Sequence, residues 1–183
     1  MRRSHFKRAL FLFLAGALLL GISVYWNLSQ TIQLAYFTPH VIPVKKSHPI
    51  PITITIPSVN VTLPIEETAI NNGVWQIAEN GASHLTISAR PGEDGPIIMY
   101  GHNTNVRFGR ILSLKNGNKI LIKTADDKIH QYKIIQTRVV SSTELDVLTQ
   151  KPGESLILYT CTGFADWNRF VVIAVPYEGF IFK

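Results

Sequence analysis

What most limits the folds open to this chain is a succession of short β-branched and aromatic runs separated by turn-forming residues. "IPITITI" (50–56) alternates isoleucine and threonine at period two, the signature of a half-buried strand. "VNVTLPI" (59–65), "PIIMY" (96–100), "KILIKT" (119–124), "KIHQYKIIQTRVV" (128–140), "SLILYT" (155–160) and "RFVVIAVP" (169–176) continue the pattern. Asp126-Asp127 separates two of these runs and predicts a hairpin turn. About eight short strands with turn signals between them predict an all-β domain, either a closed barrel or a sandwich. Helices are expected to be few and short, near Glu66 to Asn71, Phe108 to Leu114 and Ser142 to Leu148.

The exception to this pattern is the N-terminus. Arg2, Arg3, Lys7 and Arg8 run into "ALFLFLAGALLLGISVYW", Ala9 to Trp26, eighteen residues without a charge. As a helix that stretch would rise roughly 27 Å, close to the hydrocarbon thickness of a bilayer. A cleaved signal peptide has a shorter apolar core followed by a small-x-small site, whereas here Ala15-Gly16-Ala17 lies inside the run and Tyr25-Trp26 sits at headgroup level. The expected organisation is a cytoplasmic N-terminus over residues 1–8, an uncleaved single-pass transmembrane signal-anchor helix over 9–28, and an extracytoplasmic stem over 29–48. The β-rich domain over 49–183 then lies outside the cell membrane by the positive-inside rule. Pro39, Pro43 and Pro49 punctuate the stem, which reads as part helical continuation and part extended spacer.

Charge excludes one function class. The formal net charge of +6 owes four positives to the first eight residues, and the remaining basic and acidic residues nearly cancel. No basic stripe or aromatic RNA-binding signature accompanies the strands, so no nucleic-acid partner is expected.

Cys161 is the sole cysteine. It cannot form a disulfide within the chain, so outside the membrane it is either buried and inert or kept for chemistry. It ends the strand "SLILYT" and precedes Thr162-Gly163, a strand end beside a loop. Candidate bases beyond the membrane segment are His40, His48, His84, His102 and His130. The first two fall in the stem, and His130 lies mid-strand in a polar alternation that suits a solvated structural role. His102 lies in "MYGHN", just past the apolar strand "PIIMY", again at a strand end on a rim where functional residues concentrate. Arg169 opens the apolar run "RFVVIAVP", where an always-charged guanidinium is costly unless it meets an anion or hydrogen-bond acceptors. A bland alternative is a salt bridge to Asp166 or another acid. A short loop from Cys161 to Arg169 would let two antiparallel strands bring thiol and guanidinium to one rim.

Taken together, these residues resemble the sortases, the envelope-anchored cysteine transpeptidases of bacteria. The resemblance covers about 135 residues, Pro49 to Lys183, through "ITIPSVNVTLPI", "ARPGEDGPIIMYGHN", "FGRILSLKNGNKILIKT" and "LILYTCTGFADWNRFVVIA". It implies a closed eight-stranded β-barrel with a few short helices, Cys161 as nucleophile, His102 as general acid and base, and Arg169 as the group that positions substrate and stabilises the oxyanion. It further implies Thr160 as a substrate-binding residue lining the groove. Asn103 departs from the family's pattern, in which many members have arginine after Gly-His, and Tyr159 fills a position that varies. The implied substrates are secreted proteins with a C-terminal sorting motif of the Leu-Pro-x-Thr-Gly kind, and the implied acceptor is an amine of the cell wall or a pilin lysine. No cofactor and no metal are called for, and no acidic calcium cluster is evident. The rival reading is a non-catalytic, membrane-anchored β-barrel scaffold or binding domain with Cys161 buried. An L,D-transpeptidase is disfavoured because its compact Ser-x-Gly-Cys signature is absent.

Overall fold

The computed structural model describes residues 2–35, 47–104, 108–144, 146–148 and 153–177. They fall into two units. The first is built on one helix, α1 (Arg2–Ala35), which contains the whole apolar segment expected as an anchor. Large apolar side chains along it, among them Phe11, Leu12, Phe13 and Leu18 to Leu20, stand exposed. The side chains described without interruption are those of residues 11–25, and among the described residues no helix is long and apolar enough to cross a membrane. The expected stem is helical as far as Ala35; its centre, His40 included, lies outside the described residues.

The second unit carries the β-structure, apart from residues 72–74, which group with the first. Its strands are β1 (Pro51–Ile56), β2 (Val61–Thr68), β3 (Ile70–Asn71), β4 (Val74–Trp75), β5 (Ala82–Leu85), β6 (Pro96–Gly101), β7 (Lys119–Thr124), β8 (Ile129–Ser141), β9 (Ser155–Thr162) and β10 (Asn168–Pro176). Eight of them close a barrel in the order β1-β2-β5-β6-β9-β10-β8-β7, with β7 returning to pair with β1, and β3 and β4 form a separate two-stranded hairpin. The barrel the resemblance implied is thus present. Most neighbours are antiparallel; β2 with β5 and β6 with β9 are parallel.

Local chemistry explains the joints. The β7–β8 hairpin turns at Asp126-Asp127 as expected: Asp127 adopts φ 63°, its N–H donates to the Thr124 carbonyl at 2.9 Å, and the Thr124 hydroxyl donates to the Asp126 carboxylate at 2.6 Å. Two of the three expected short helices are 3-10 turns, at Phe108–Ser113 and Asp146–Leu148. The third is corrected: Glu66 to Asn71 is extended, not helical. Ile65 to Thr68 pair in parallel with Ala82 to Leu85, and this distant partner overrides the modest helical preference of the two glutamates.

Two apolar layers follow from strand alternation. Ile54, Ile56, Val61, Ala82, Ile97, Met99, Ile120, Ile122, Tyr132, Leu156, Leu158 and Val172 come from all eight barrel strands and fill the interior. The alternate residues Leu85, Ile98, Tyr100, Val140, Ile157, Tyr159, Val171 and Ile173 form a second cluster on the outer face, covered by Leu148 and by Ile70 and Trp75 of the hairpin. On this flank the sheet is buried on both sides.

Where the chain enters the barrel, a buried carboxylate fastens it. The side chain of Glu93 accepts hydrogen bonds from the backbone N–H groups of Ser47 (2.6 Å), His48 (3.1 Å) and Arg90 (2.8 Å), while the Arg90 guanidinium donates to the His48 carbonyl at 2.9 Å. Burial alone would push Glu93 upward, but those three donors and the nearby His48 outweigh it and hold the carboxyl below its ordinary value.

Candidate active site

The register of three adjacent strands sets Cys161 between the other two candidates. Arg169 is its direct partner across the β9–β10 pair. On the other side Gly101 pairs with Thr160, so His102, one residue further, lies level with Cys161. Strands in a sheet lie about 4.8 Å apart, which brings the three backbones abreast. Alternation then decides the face. Residues 157 and 159 on β9, 171 and 173 on β10, and 98 and 100 on β6 all point to the outer layer, and Cys161, Arg169 and His102 share their parity. The candidates thus form the last row of a ladder whose lower rungs are Tyr100, Tyr159 and Val171, then Ile98, Ile157 and Ile173.

Each element ends at this rim for a local reason. After Gly101 the chain leaves the sheet, and the His102 carbonyl accepts from the N–H groups of Thr104 (2.9 Å) and Phe108 (3.2 Å). Phe108 is fully buried, and a Cβ at Gly101 would meet its Cβ and Cγ at 3.2 Å, so glycine here lets the two segments approach. The His102 side chain is left exposed. Thr160, expected in the substrate groove, points inward, is buried, and donates its hydroxyl to the Gly101 carbonyl at 2.8 Å; it ties the end of β6 to β9 one residue before both His102 and Cys161. Between β9 and β10, Gly163 turns at φ 81°, a region glycine enters freely, and a 3-10 turn over Phe164–Asp166 brings the chain back at Arg169. Two aromatic rings of this connection, Phe164 and Trp167, meet edge to face at 5.4 Å and are 80% and 46% exposed.

The electrostatics are those of a half-buried thiol beside a fixed cation. Burial pushes the Cys161 thiol above its ordinary value, the Arg169 guanidinium pulls it part of the way back, and Asp166 adds to the rise. Near neutral pH the resting sulfur therefore carries its proton. Arg169 is itself buried, at 8% exposure. Its Nη1 donates to the backbone carbonyls of Asp166 and Asn168, and among the described residues no carboxylate lies within ion-pair distance of it. The salt bridge to Asp166 that would have explained this arginine away is not what holds it.

Three other candidate histidines, among the described residues, lie elsewhere in the barrel unit. His84 is fully buried in β5, with Nε2 2.9 Å from the Ala89 carbonyl and Nδ1 3.4 Å from the Glu67 carboxylate. His130 sits in β8, half-buried, opposite Ile122. His48 belongs to the fastening at Glu93. Among the described residues no group of three or more His, Cys, Asp or Glu side chains gathers as metal ligands would.

The aromatic floor beneath the row is what sequence reasoning missed. Trp75 stacks on Tyr159 at 6.1 Å and meets Tyr100 edge-on at 4.9 Å. The Tyr100 hydroxyl is fixed by the Gln76 carbonyl at 2.6 Å and the Thr68 hydroxyl at 2.8 Å. The signal was present: "SLILYT" and "RFVVIAVP" are apolar on consecutive residues rather than alternate ones, the mark of strands covered on both faces.

The barrel fold is shared with known proteins. The family model of the sortase domain matches residues 54–177. The chain belongs to the sortase family. Sortase D of Bacillus subtilis is 32% identical over 111 residues, which cover 60% of this chain and 53% of that protein, so the match spans about half the length of that curated relative. Among solved structures, a sortase D5 transpeptidase of Clostridium perfringens superposes with a TM-score of 0.60 at 29% identity, covering 74% of this chain and 82% of that one. Sortase C of Clostridium perfringens, in a structure with the C-terminal cell wall sorting motif, superposes with a TM-score of 0.57 at 24% identity, covering 72% and 73%, a likeness of fold. The similarity crosses sortase classes and assigns this chain to none.

Proposed function

We propose that this sortase is a membrane-anchored cysteine transpeptidase that cleaves a Leu-Pro-x-Thr-Gly-like sorting motif near the C-terminus of secreted proteins and joins the new acyl end to an amine. The observation that carries this reading is the register that sets Cys161 level with Arg169 on one side and, on the other, with His102 one residue past the end of β6.

The chemistry follows from the three groups. Cys161 Sγ, deprotonated with His102 as the proton acceptor, attacks the carbonyl carbon between threonine and glycine. Negative charge develops on that carbonyl oxygen, where Arg169, already immobilised by two backbone carbonyls, supplies a fixed positive donor. When the tetrahedral centre collapses, the carbon–nitrogen bond breaks and the glycine amine leaves with a proton from the His102 imidazolium. The acyl group remains on sulfur as a thioester. An incoming amine, from the cell wall or a pilin lysine, attacks that carbon, passes its proton to His102, and releases the thiolate. Thr160 serves the groove by fixing the strand ends that carry His102 and Cys161.

Anchorage belongs to the same proposal. A helix that exposes Phe11, Leu12, Phe13 and Leu18 to Leu20 needs apolar surroundings, and a bilayer supplies them. With the domain outside and its substrates also tethered, confinement raises the encounter rate. The test is to incubate the full-length chain in detergent with a library of sorting peptides and an amine, and to identify products by mass spectrometry. A product joined through threonine to the amine is expected. Recovery of uncleaved peptide alone, with Cys161 alkylated only after denaturation, would instead identify a scaffold.

A further inference from the structure

The connection from Cys161 to Arg169 holds one backbone feature that the chemistry above leaves unused. Asp166 adopts φ 57°, in the left-handed region where a residue with a Cβ is uncommon. It closes the 3-10 turn Phe164–Asp166, and Trp167 after it is right-handed again at φ -68° and ψ -21°, so the reversal falls on a single residue. The carbonyls that follow divide their partners. Those of Asp166 and Asn168 accept from Arg169 Nη1, while that of Trp167 between them accepts from the Ser142 N–H at 3.2 Å.

Of the two carbonyls on Arg169, the sheet places one. Asn168 opens β10 and is paired with Ser141 and Thr162 on either side, so strand register fixes the direction of its peptide. Asp166 lies before the strand, and where its carbonyl points is decided by its own dihedral angles and those of Trp167. A right-handed residue at 166 would turn the chain the other way and carry that carbonyl off the guanidinium. Aspartate, like asparagine and glycine, enters the left-handed region at little cost, whereas a β-branched residue there is an outlier. We propose that Asp166 is a positioning residue that acts through its main chain: its left-handed turn aims its carbonyl at Arg169 and so sets the guanidinium beside Cys161. This rests on the reading of Arg169 as the oxyanion donor.

The test compares three variants without charge at position 166, because the Asp166 carboxylate itself raises the Cys161 thiol and its loss must be common to all. Asp166→Asn and Asp166→Gly keep access to the left-handed turn; Asp166→Val, similar in size to the asparagine variant, does not. Two readouts are taken on the full-length chain in detergent: single-turnover formation of the thioester on Cys161 with a Leu-Pro-x-Thr-Gly peptide, and the pH profile of Cys161 alkylation by iodoacetamide. Asp166→Val is expected to acylate roughly tenfold more slowly than Asp166→Asn, about the equilibrium weight of one ordinary residue in the left-handed region, and Asp166→Gly to group with Asp166→Asn. The alkylation profile of Asp166→Val should lie at higher pH than that of Asp166→Asn, since a loosened guanidinium favours the thiolate less. In an Arg169→Ala background the two profiles should coincide. Equal acylation and coincident profiles with Arg169 present overturn the proposal and leave the transpeptidase reading intact. A gap that persists undiminished without Arg169 also overturns it, as a packing effect. If Asp166→Val does not fold, Asp166→Ala takes its place with the same ordering expected, and equality with Asp166→Asn overturns the proposal. Should the unaltered chain form no thioester with any sorting peptide, the proposed function fails, and the alkylation profiles alone then decide: a gap dependent on Arg169 supports the positioning role, and no gap refutes it.

Discussion

Replacing Arg169 by lysine keeps the charge and removes the fork. In the native arrangement Nη1 is occupied by the Asp166 and Asn168 carbonyls, and Arg169 lies directly across the β9–β10 pair from Cys161. A lysine ammonium is one point. It can sit on those carbonyls or point at a developing oxyanion, but its single nitrogen cannot hold two directions in one rigid plane. Loss of one oriented donor in an oxyanion site costs about 10² to 10³ in turnover. The stability cost is smaller: an ammonium that stays on both backbone carbonyls loses little, and one that turns from either of them forfeits one hydrogen bond, about 1 to 2 kcal/mol, or a fall of about 4 to 8 °C in thermal midpoint for a domain of this size. Single-turnover acylation and a thermal melt on the same preparation separate the two. If Arg169 is a structural cation only, the melt shifts and the rate does not. Near-normal acylation by Arg169→Lys would refute the oxyanion role.

Other expectations follow from the same contacts. Thr160→Val keeps the shape but leaves the Gly101 carbonyl without its 2.8 Å donor, which should cost about 1 to 3 kcal/mol in a chemical melt and lower acylation by loosening the strand ends beneath His102 and Cys161. Gly101→Ala forces a Cβ to 3.2 Å from Phe108, an overpacking that should cost about 1 to 3 kcal/mol and lower the acylation rate by displacing the His102 segment. Glu93→Gln tests the fastening through pH: the folded-state carboxyl sits below its ordinary value, so its contribution is fully present above the ordinary value and is lost as pH falls from there through the lower folded-state value. Thermal midpoints of wild type and Glu93→Gln should therefore differ at neutral pH and begin to converge only below about pH 4.5, the ordinary glutamate value; a gap that stays constant as pH falls further would contradict the assignment.

The barrel was legible because its strands announce themselves locally. Ile and Thr alternate through β1, Ile120 and Ile122 take alternate positions in β7, and Asp126-Asp127 marks the turn before β8, so the all-β reading needed no distant information. Strand order was not legible. The parallel pairing of β6 with β9, which brings His102 level with Cys161, joins residues 59 positions apart, and no local pattern encodes it. The extended Glu66 to Asn71 segment was misread for the same reason, since its partner is β5. A local clue was overlooked beside it: Asn72-Gly73, both at positive φ, is a hairpin turn of the type such a pair favours, and it joins β3 to β4. Trp75 rides on that hairpin, so missing the turn meant missing the cover over Tyr159. Arg169 was legible because a permanent charge opening an apolar strand demands an explanation, and the structure removes the simplest one.

The central claim is that Cys161 is a nucleophile assisted by the two residues abreast of it, and the intact mass of the acyl-enzyme tests it most directly. The full-length chain is mixed with a sorting peptide without added amine, quenched in acid within seconds, and weighed. The account predicts a mass increase equal to the peptide up to its threonine, mapped to Cys161, released by hydroxylamine, abolished in Cys161→Ala and strongly reduced in His102→Ala. Peptide cleavage by Cys161→Ala at the wild-type rate, or an adduct mapped to another residue, would contradict it.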